Sequence, residues 1–119
     1  MKRIIAIPSD GSNIDDVMSD HFGHCNFFIG INTNDNQIGE VAFLLQNNGH
    51  SSCMEPVLNM KDRNVTDMII GGIGGRPYMG FIQVGINLYQ GISRKTVKEN
   101  IELLLSDKLN KLEGPSCYH

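Results

Sequence analysis

The chain has no tryptophan and only 7% aromatic residues. Stacking platforms for unpaired bases are therefore scarce, and single-stranded nucleic-acid binding has little to work with. Basic charge is not in excess either. Ten Lys and Arg against thirteen Asp and Glu give a formal charge of −3, which leaves no broad positive field for nucleic acid. No apolar run approaches the ~20 residues that span a bilayer, so no membrane partner is expected. Met1-Lys2-Arg3-Ile4 runs straight into a strand-like segment, unlike the apolar stretch of a secretory signal. Cysteine is scarce and odd in number, three, with no Cys-x-x-Cys spacing. That argues against a disulfide scaffold and for reduced thiols in the cytoplasm. What remains is 119 residues, 40% of them hydrophobic, enough for one domain with a single core.

The few histidines and cysteines are not scattered. All fall in three clusters: Asp20-His21-Phe22-Gly23-His24-Cys25, Gly49-His50-Ser51-Ser52-Cys53, and the terminal Cys117-Tyr118-His119. Thiolate and imidazole are soft ligands. His21 with Cys25 and His50 with Cys53 can each bring two ligands to one metal, so metal or a metal–sulfur cluster is the first hypothesis. Zinc bound by two His and two Cys is the alternative, although these spacings match no common zinc module. Thiolates suit an iron–sulfur cluster equally well. A third reading makes Cys25 or Cys53 a nucleophile activated by His21 or His50, a thiol enzyme. Against all three stands the plainer role of cysteine as a small buried hydrophobe.

The apolar pattern predicts the element order β-β-β-α-β-α-β-α. Ile4–Ile7 is a β-branched run closed by Pro8; Phe27–Ile31 and Ile38–Leu45 flank the turn Asn34-Asp35-Asn36-Gln37 as a hairpin. A helix follows over about Cys53 to Met60, then a strand over Val65–Ile70. Arg76-Pro77 opens a second helix to about Val84, since proline is well tolerated in a first helical turn. Ile86–Tyr89 is the fifth strand. Thr96 with Glu99 three residues on has capping-box spacing, and Val97, Ile101, Leu104, Leu105 and Leu109 make an apolar face. Residues 1–113 form the expected domain, and Gly114-Pro115 begins a tail. A hairpin followed by helical crossovers makes a mixed sheet with the second strand antiparallel to the rest. The loops carrying His21–Cys25, His50–Cys53, Gly71–Arg76 and Gln90–Lys95 then share one rim, where α/β sheets hold ligands.

Gly71-Gly72-Ile73-Gly74-Gly75-Arg76-Pro77 lies on that rim. It is not a dinucleotide fingerprint, because Pro77 takes the third glycine position, and not a P-loop, because Phe81 rather than Lys follows Gly80. Gly72, Gly74 and Gly75 allow close backbone approach, the amides at a helix start favour an anion, and Arg76 adds a cation. The competing role is a tight, closely packed strand-to-helix turn. Asp10, Asp15, Asp16 and Asp20 are read as turn and cap formers rather than ligands of a hard cation, and Arg94-Lys95 as a solvated turn.

Ile4 with Ala6-Ile7-Pro8-Ser9-Asp10-Gly11, then Ser19-Asp20-His21-Phe22-Gly23-x-Cys25, Gly49-His50-x-x-Cys53, and Gly71-Gly72-Ile73-Gly74-Gly75-Arg76-Pro77-x-Met79-Gly80-Phe81 resemble the dinitrogenase iron–molybdenum cofactor biosynthesis family. The resemblance runs from about Lys2 to Leu109. It implies a three-layer α/β/α, ribonuclease-H-like fold with a five-stranded mixed sheet in the order 3-2-1-4-5. It also implies a carrier, not an enzyme, that binds an iron–sulfur or iron–molybdenum–sulfur cluster and meets cofactor-assembly proteins. On that basis Cys25, Cys53, His21 and His50 are the candidate metal ligands, and Gly72, Gly74, Gly75 and Arg76 the candidate cluster cradle. One position departs: His24 stands where the family commonly has arginine, which removes a fixed positive charge. A ribonuclease-like fold alone argues for no nuclease, and Ile4–Ile7 offers no carboxylates for a two-metal centre. A non-catalytic interaction module that binds a simple divalent metal, or none, is the reading from another class.

Overall fold

The structure, a computed structural model, describes residues 2–47 and 54–115. Among these residues the chain forms β1 (Lys2–Ser9), β2 (Phe27–Asn34), β3 (Gln37–Gln46), α1 (Glu55–Asp62), β4 (Asp67–Ile70), α2 (Gly75–Val84), β5 (Asn87–Gln90) and α3 (Val97–Leu105). The strands make one sheet in the order β3-β2-β1-β4-β5. β2 is antiparallel to both neighbours, while β1, β4 and β5 run parallel. This is the expected mixed α/β sheet with the expected order and directions.

Its central strands explain the layers. Ile5, Ala6 and Ile7 on β1, and Met68, Ile69 and Ile70 on β4, are fully buried. Consecutive rather than alternating apolar residues need cover on both faces of a sheet. Ala6, Met68 and Ile70 pack with Val57 and Met60 of α1 and Phe81 of α2. Ile5, Ile7 and Ile69 pack with Val97, Ile101 and Leu104 of α3. Two helices therefore cover one face and one helix the other. Burying each of these large side chains contributes roughly 1.5–3 kcal/mol.

Several boundaries move for local reasons. β1 does not close at Pro8 but continues to Ser9, with Pro8 opposite Phe28. A strand residue's N–H and C=O point to the same side. The Pro8 carbonyl accepts from Ser19, so the missing N–H falls on the side where β4 pairing has already stopped, and no ladder bond is lost. α3 ends at Leu105, leaving Leu109 buried but outside the helix. There Asp107 takes φ +59°, Lys108 donates to the Leu103 carbonyl and Asp107 to the Leu104 carbonyl, a Schellman ending with Asp in the usual glycine place. The Thr96–Glu99 capping box is present: the Thr96 hydroxyl accepts from the Glu99 N–H at 3.0 Å, and the Glu99 carboxylate from the Thr96 N–H at 2.9 Å. The expected start of the first helix at Cys53 lies outside the described residues; the helix is described from Glu55. No helix among the described residues is long and apolar enough to cross a membrane.

Candidate functional site

β1 and β4 pair only through Ile5–Asp67 and Ala6–Met68, and above that they part. This gap is the point where the winding of the sheet reverses, the usual ligand crevice of an α/β fold. Here it is filled by the chain itself. Ser19 donates its N–H to the Pro8 carbonyl at 2.9 Å on one side, and Phe22 donates to the Gly72 carbonyl at 3.2 Å on the other. The first His/Cys cluster and the glycine segment are thus stitched together by backbone, as their common rim predicted.

The crossing depends on Gly71. A Cβ there would lie 2.9 Å from the Asp20 Cα and 3.1 Å from its carbonyl oxygen, both backbone atoms with little freedom to yield. The β5–α3 loop joins the same crossing. The Gln90 amide donates to the Gly71 carbonyl at 2.8 Å and to the Gly91 carbonyl at 3.3 Å, and the Ser93 hydroxyl bonds the Asp20 carboxylate at 3.0 Å.

Phe22 anchors the loop that carries the soft ligands. Its ring is 3% exposed, with centroids 5.5 Å from Phe28 and 5.4 Å, edge-on, from Phe81. Edge-to-face packing adds to the burial itself. On either side His21 and His24 are exposed. Cys25 is not: it is 3% exposed and packs in the core with Phe22 and Phe28. Its thiol donates to the Phe22 carbonyl at 3.5 Å rather than to an imidazole, and the Asn47 amide lies 3.8 Å from the sulfur. Burial pushes the thiol up from its usual 9.0 to about 12, partly opposed by Asn47. In this conformation Cys25 is a protonated thiol and a poor nucleophile.

That burial has a measurable outcome. Site-resolved mass spectrometry should find Cys25 almost unalkylated by iodoacetamide at pH 8 in the native protein and fully alkylated in denaturant. The folded thiol holds its proton above pH 9 where the unfolded thiol has lost it, so stability is intact below about pH 9 and falls as pH rises toward 12. Rapid native labelling of Cys25 would contradict the burial.

The glycine segment divides by role. Ile73 is in the core, and Gly72 is buried with its carbonyl taken by Phe22. Gly74 and Gly75 are different: an added Cβ at Gly75 would meet nothing within 4 Å, and at Gly74 only Pro77 Cδ at 4.0 Å. Packing among the described residues does not require glycine at these two positions, and no described residue fills the space over them. Gly74 is the N-cap of α2 and offers no side-chain cap. The N–H groups of a first helical turn have no acceptor within the helix, and they attract anions. Arg76, exposed in the same turn, has no hydrogen-bond or ion-pair partner among the described residues.

His50, Cys53, Cys117 and His119 lie outside the described residues. The residues flanking the second cluster do not. Asn47 donates to the Gly23 carbonyl at 3.3 Å and the Cys25 carbonyl at 2.9 Å, and the Met54 side chain packs over Gly80 of α2. Both ends of that segment are therefore held at this rim. Among the described residues no three His, Cys, Asp or Glu side chains converge as metal ligands. Asp16 forms turns as expected, its carboxylate accepting from the Asn13 N–H at 2.9 Å. A separate groove of about 580 Å3 opens at the opposite end of the sheet, lined in part by Lys2, Arg3, Asn32, Asn64 and Thr66; among the described residues no His or Cys lines it.

Sequence reasoning placed the Gln90–Lys95 loop on the rim but assigned no role to Asn47, Gln90 or Ser93. Each bonds backbone or a side chain far along the chain, and nothing in its own neighbourhood marks that. Asn47 in particular sits in a Gln-Asn-Asn-Gly run that reads only as the end of a strand.

A family model described as dinitrogenase iron–molybdenum cofactor matches residues 1–107. An uncharacterized protein of Methanocaldococcus jannaschii is 28% identical over 112 residues, covering 92% of this chain and 91% of that protein. The apo form of the orange protein from Desulfovibrio gigas superposes with a TM-score of 0.84 at 15% identity, covering 97% of each chain. A candidate NifB protein from Thermotoga superposes at 0.80 with 22% identity, covering 98% of this chain and 99% of that one. At these identities the two structural likenesses speak for the fold.

Proposed function

This chain belongs to the dinitrogenase iron–molybdenum cofactor family, and on that premise we propose that it binds and carries an anionic metal–sulfur cluster, iron–sulfur or iron–molybdenum–sulfur, on the rim between the His21–Cys25 loop and the start of α2. Its role is that of a cytoplasmic carrier for cofactor-assembly proteins, not of a catalyst. The observation that carries the reading is the first turn of α2, which has no side-chain cap: among the described residues nothing fills the space over Gly74 and Gly75, nothing accepts from the turn's first N–H groups, and Arg76 has no partner. An anion placed there gains hydrogen bonds and charge without displacing any described residue. His21, exposed beside it, serves as ligand or hydrogen-bond donor. Cys53 and His50 complete the ligand set on the grounds of the family motif. Cys25 joins only if the metal displaces its proton and the sulfur leaves its packed position.

Anaerobic reconstitution with iron, sulfide and molybdate should give visible charge-transfer bands and bound inorganic sulfide. Arg76→Glu and Cys53→Ala should each lower the bound metal several-fold, and Cys25→Ala should lower it less. Colourless, metal-free protein after this treatment would sink the proposal. Zinc without sulfide, in protein purified with no added ions, would instead support an interaction module that binds a simple divalent metal.

A further inference from the structure

Arg94 adopts φ +71°, a left-handed backbone that L-residues with bulky side chains avoid. It sits third in a turn closed by the Lys95 N–H on the Ile92 carbonyl at 3.4 Å, a position that ordinarily takes glycine. The other described non-glycine residues with positive φ are Asp35, Asn64 and Asp107. Their short polar side chains tolerate this region by bonding locally. Arginine has no such compensation, and the Arg94 guanidinium has no hydrogen-bond or ion-pair partner among the described residues. Fold stability therefore does not account for arginine here.

The turn is also held in place. Asn100, fully buried, accepts from the Ile92 N–H at 2.8 Å and donates to the Ile92 and Thr96 carbonyls, each at 3.2 Å. Ser93, next to Arg94, bonds the Asp20 carboxylate, and Asp20 packs directly on Gly71. The nearby carboxylate is thus engaged by the serine rather than by the arginine. The result is an exposed cation, on a rigid turn, locked to the crossing of the glycine segment and the His21–Cys25 loop.

We infer that Arg94 is a cargo-contacting residue of this rim, a second cation in addition to Arg76 that selects for anionic metal–sulfur cargo, retained in a backbone position that would be more stable with glycine. The inference rests on the proposed cluster-carrying role. It predicts effects of opposite sign for one substitution. Arg94→Gly relieves the left-handed backbone and should raise the melting temperature by about 2–5 °C. The same change should weaken binding of an anionic probe roughly three- to tenfold at low salt and flatten its salt dependence.

The test is an anaerobic titration of the full chain with tetrathiomolybdate, a coloured metal–sulfur dianion, alongside thermal melts without ligand. Wild type, Arg94→Gly, Arg94→Lys and Lys61→Gln are compared. Lys61 lies in the last turn of α1, at the opposite end of the sheet, and reports the effect of net charge alone. Weaker binding by Arg94→Gly with a raised melting temperature, largely restored binding by Arg94→Lys, and wild-type binding by Lys61→Gln support the inference. Equal affinity and salt slope for wild type and Arg94→Gly overturn it, as does an unraised melting temperature or an equal loss in Lys61→Gln. Absence of binding by the wild type removes the cluster-carrying role itself, a separate result.

Discussion

Phe22→Ala is expected to lower the unfolding free energy by about 3–5 kcal/mol, the usual cost of truncating a buried phenylalanine. The ring fills the space between Phe28 and Phe81, and both neighbours belong to the sheet and α2, so the cavity cannot close by a local shift. In a domain of this size the loss corresponds to a fall in melting temperature of about 10–20 °C. The larger consequence is positional. Phe22 is what ties exposed His21 and His24 to the core, and its N–H holds the Gly72 carbonyl. Thermal melts together with anaerobic cluster reconstitution at a temperature where the variant is folded should show both stability and uptake reduced. A variant that melts normally, or that loads as well as wild type, would refute the anchoring role.

Asp67→Ala should cost about 2–4 kcal/mol, in the range for removing one partner of a buried ion pair, yet leave loading unchanged. The Asp67 side chain is 3% exposed. It accepts from Arg3 Nε at 3.0 Å, Arg3 Nη2 at 3.3 Å, the Thr66 hydroxyl at 2.7 Å and the Asn87 amide at 3.2 Å. Alanine strands those donors, though Arg3, 23% exposed, recovers part of its solvation, which sets the estimate below the full figure for a buried pair. This network sits at the amino ends of β4 and β5, away from the rim. Denaturant unfolding should report the loss, and reconstitution of the folded variant should match wild type. Phe22→Ala and Asp67→Ala thus separate the rim from general stability: similar cost, different effect on loading. Loss of loading in both would mean that uptake follows stability alone.

The contrast between Phe22 and Cys25 shows where sequence reading stops. The order and direction of the strands are visible in the chain because hairpin and crossover connections leave few alternatives, and the same constraint puts the His21 and Gly71 loops on one rim. Which side chains of a short loop face inward is not visible, because a 3-10 turn at Phe22–His24 follows neither strand nor α-helical period. His21 and Cys25 look equivalent as soft ligands in sequence, yet one is exposed and the other lies in the core. The glycine segment behaves likewise. Gly71 is required by a backbone contact fifty-one positions away, with Asp20, whereas no packing among the described residues requires Gly74 or Gly75. Nothing in a run of glycines tells these apart. The turn at Arg94 was legible as a turn, but its left-handed backbone was not, since arginine carries no local signal for one.

With residues 19–22 wedged between the parting ends of β1 and β4, a guest can rest on this rim but cannot sink into the sheet. Under the proposed carrier role, a guest held there would keep its outward side open to a second protein, which could take hold before the first lets go. Hand-to-hand delivery of this kind would need no breathing of the core. The dwell time of the guest would then be set by the arrival of its recipient rather than by any door in the fold.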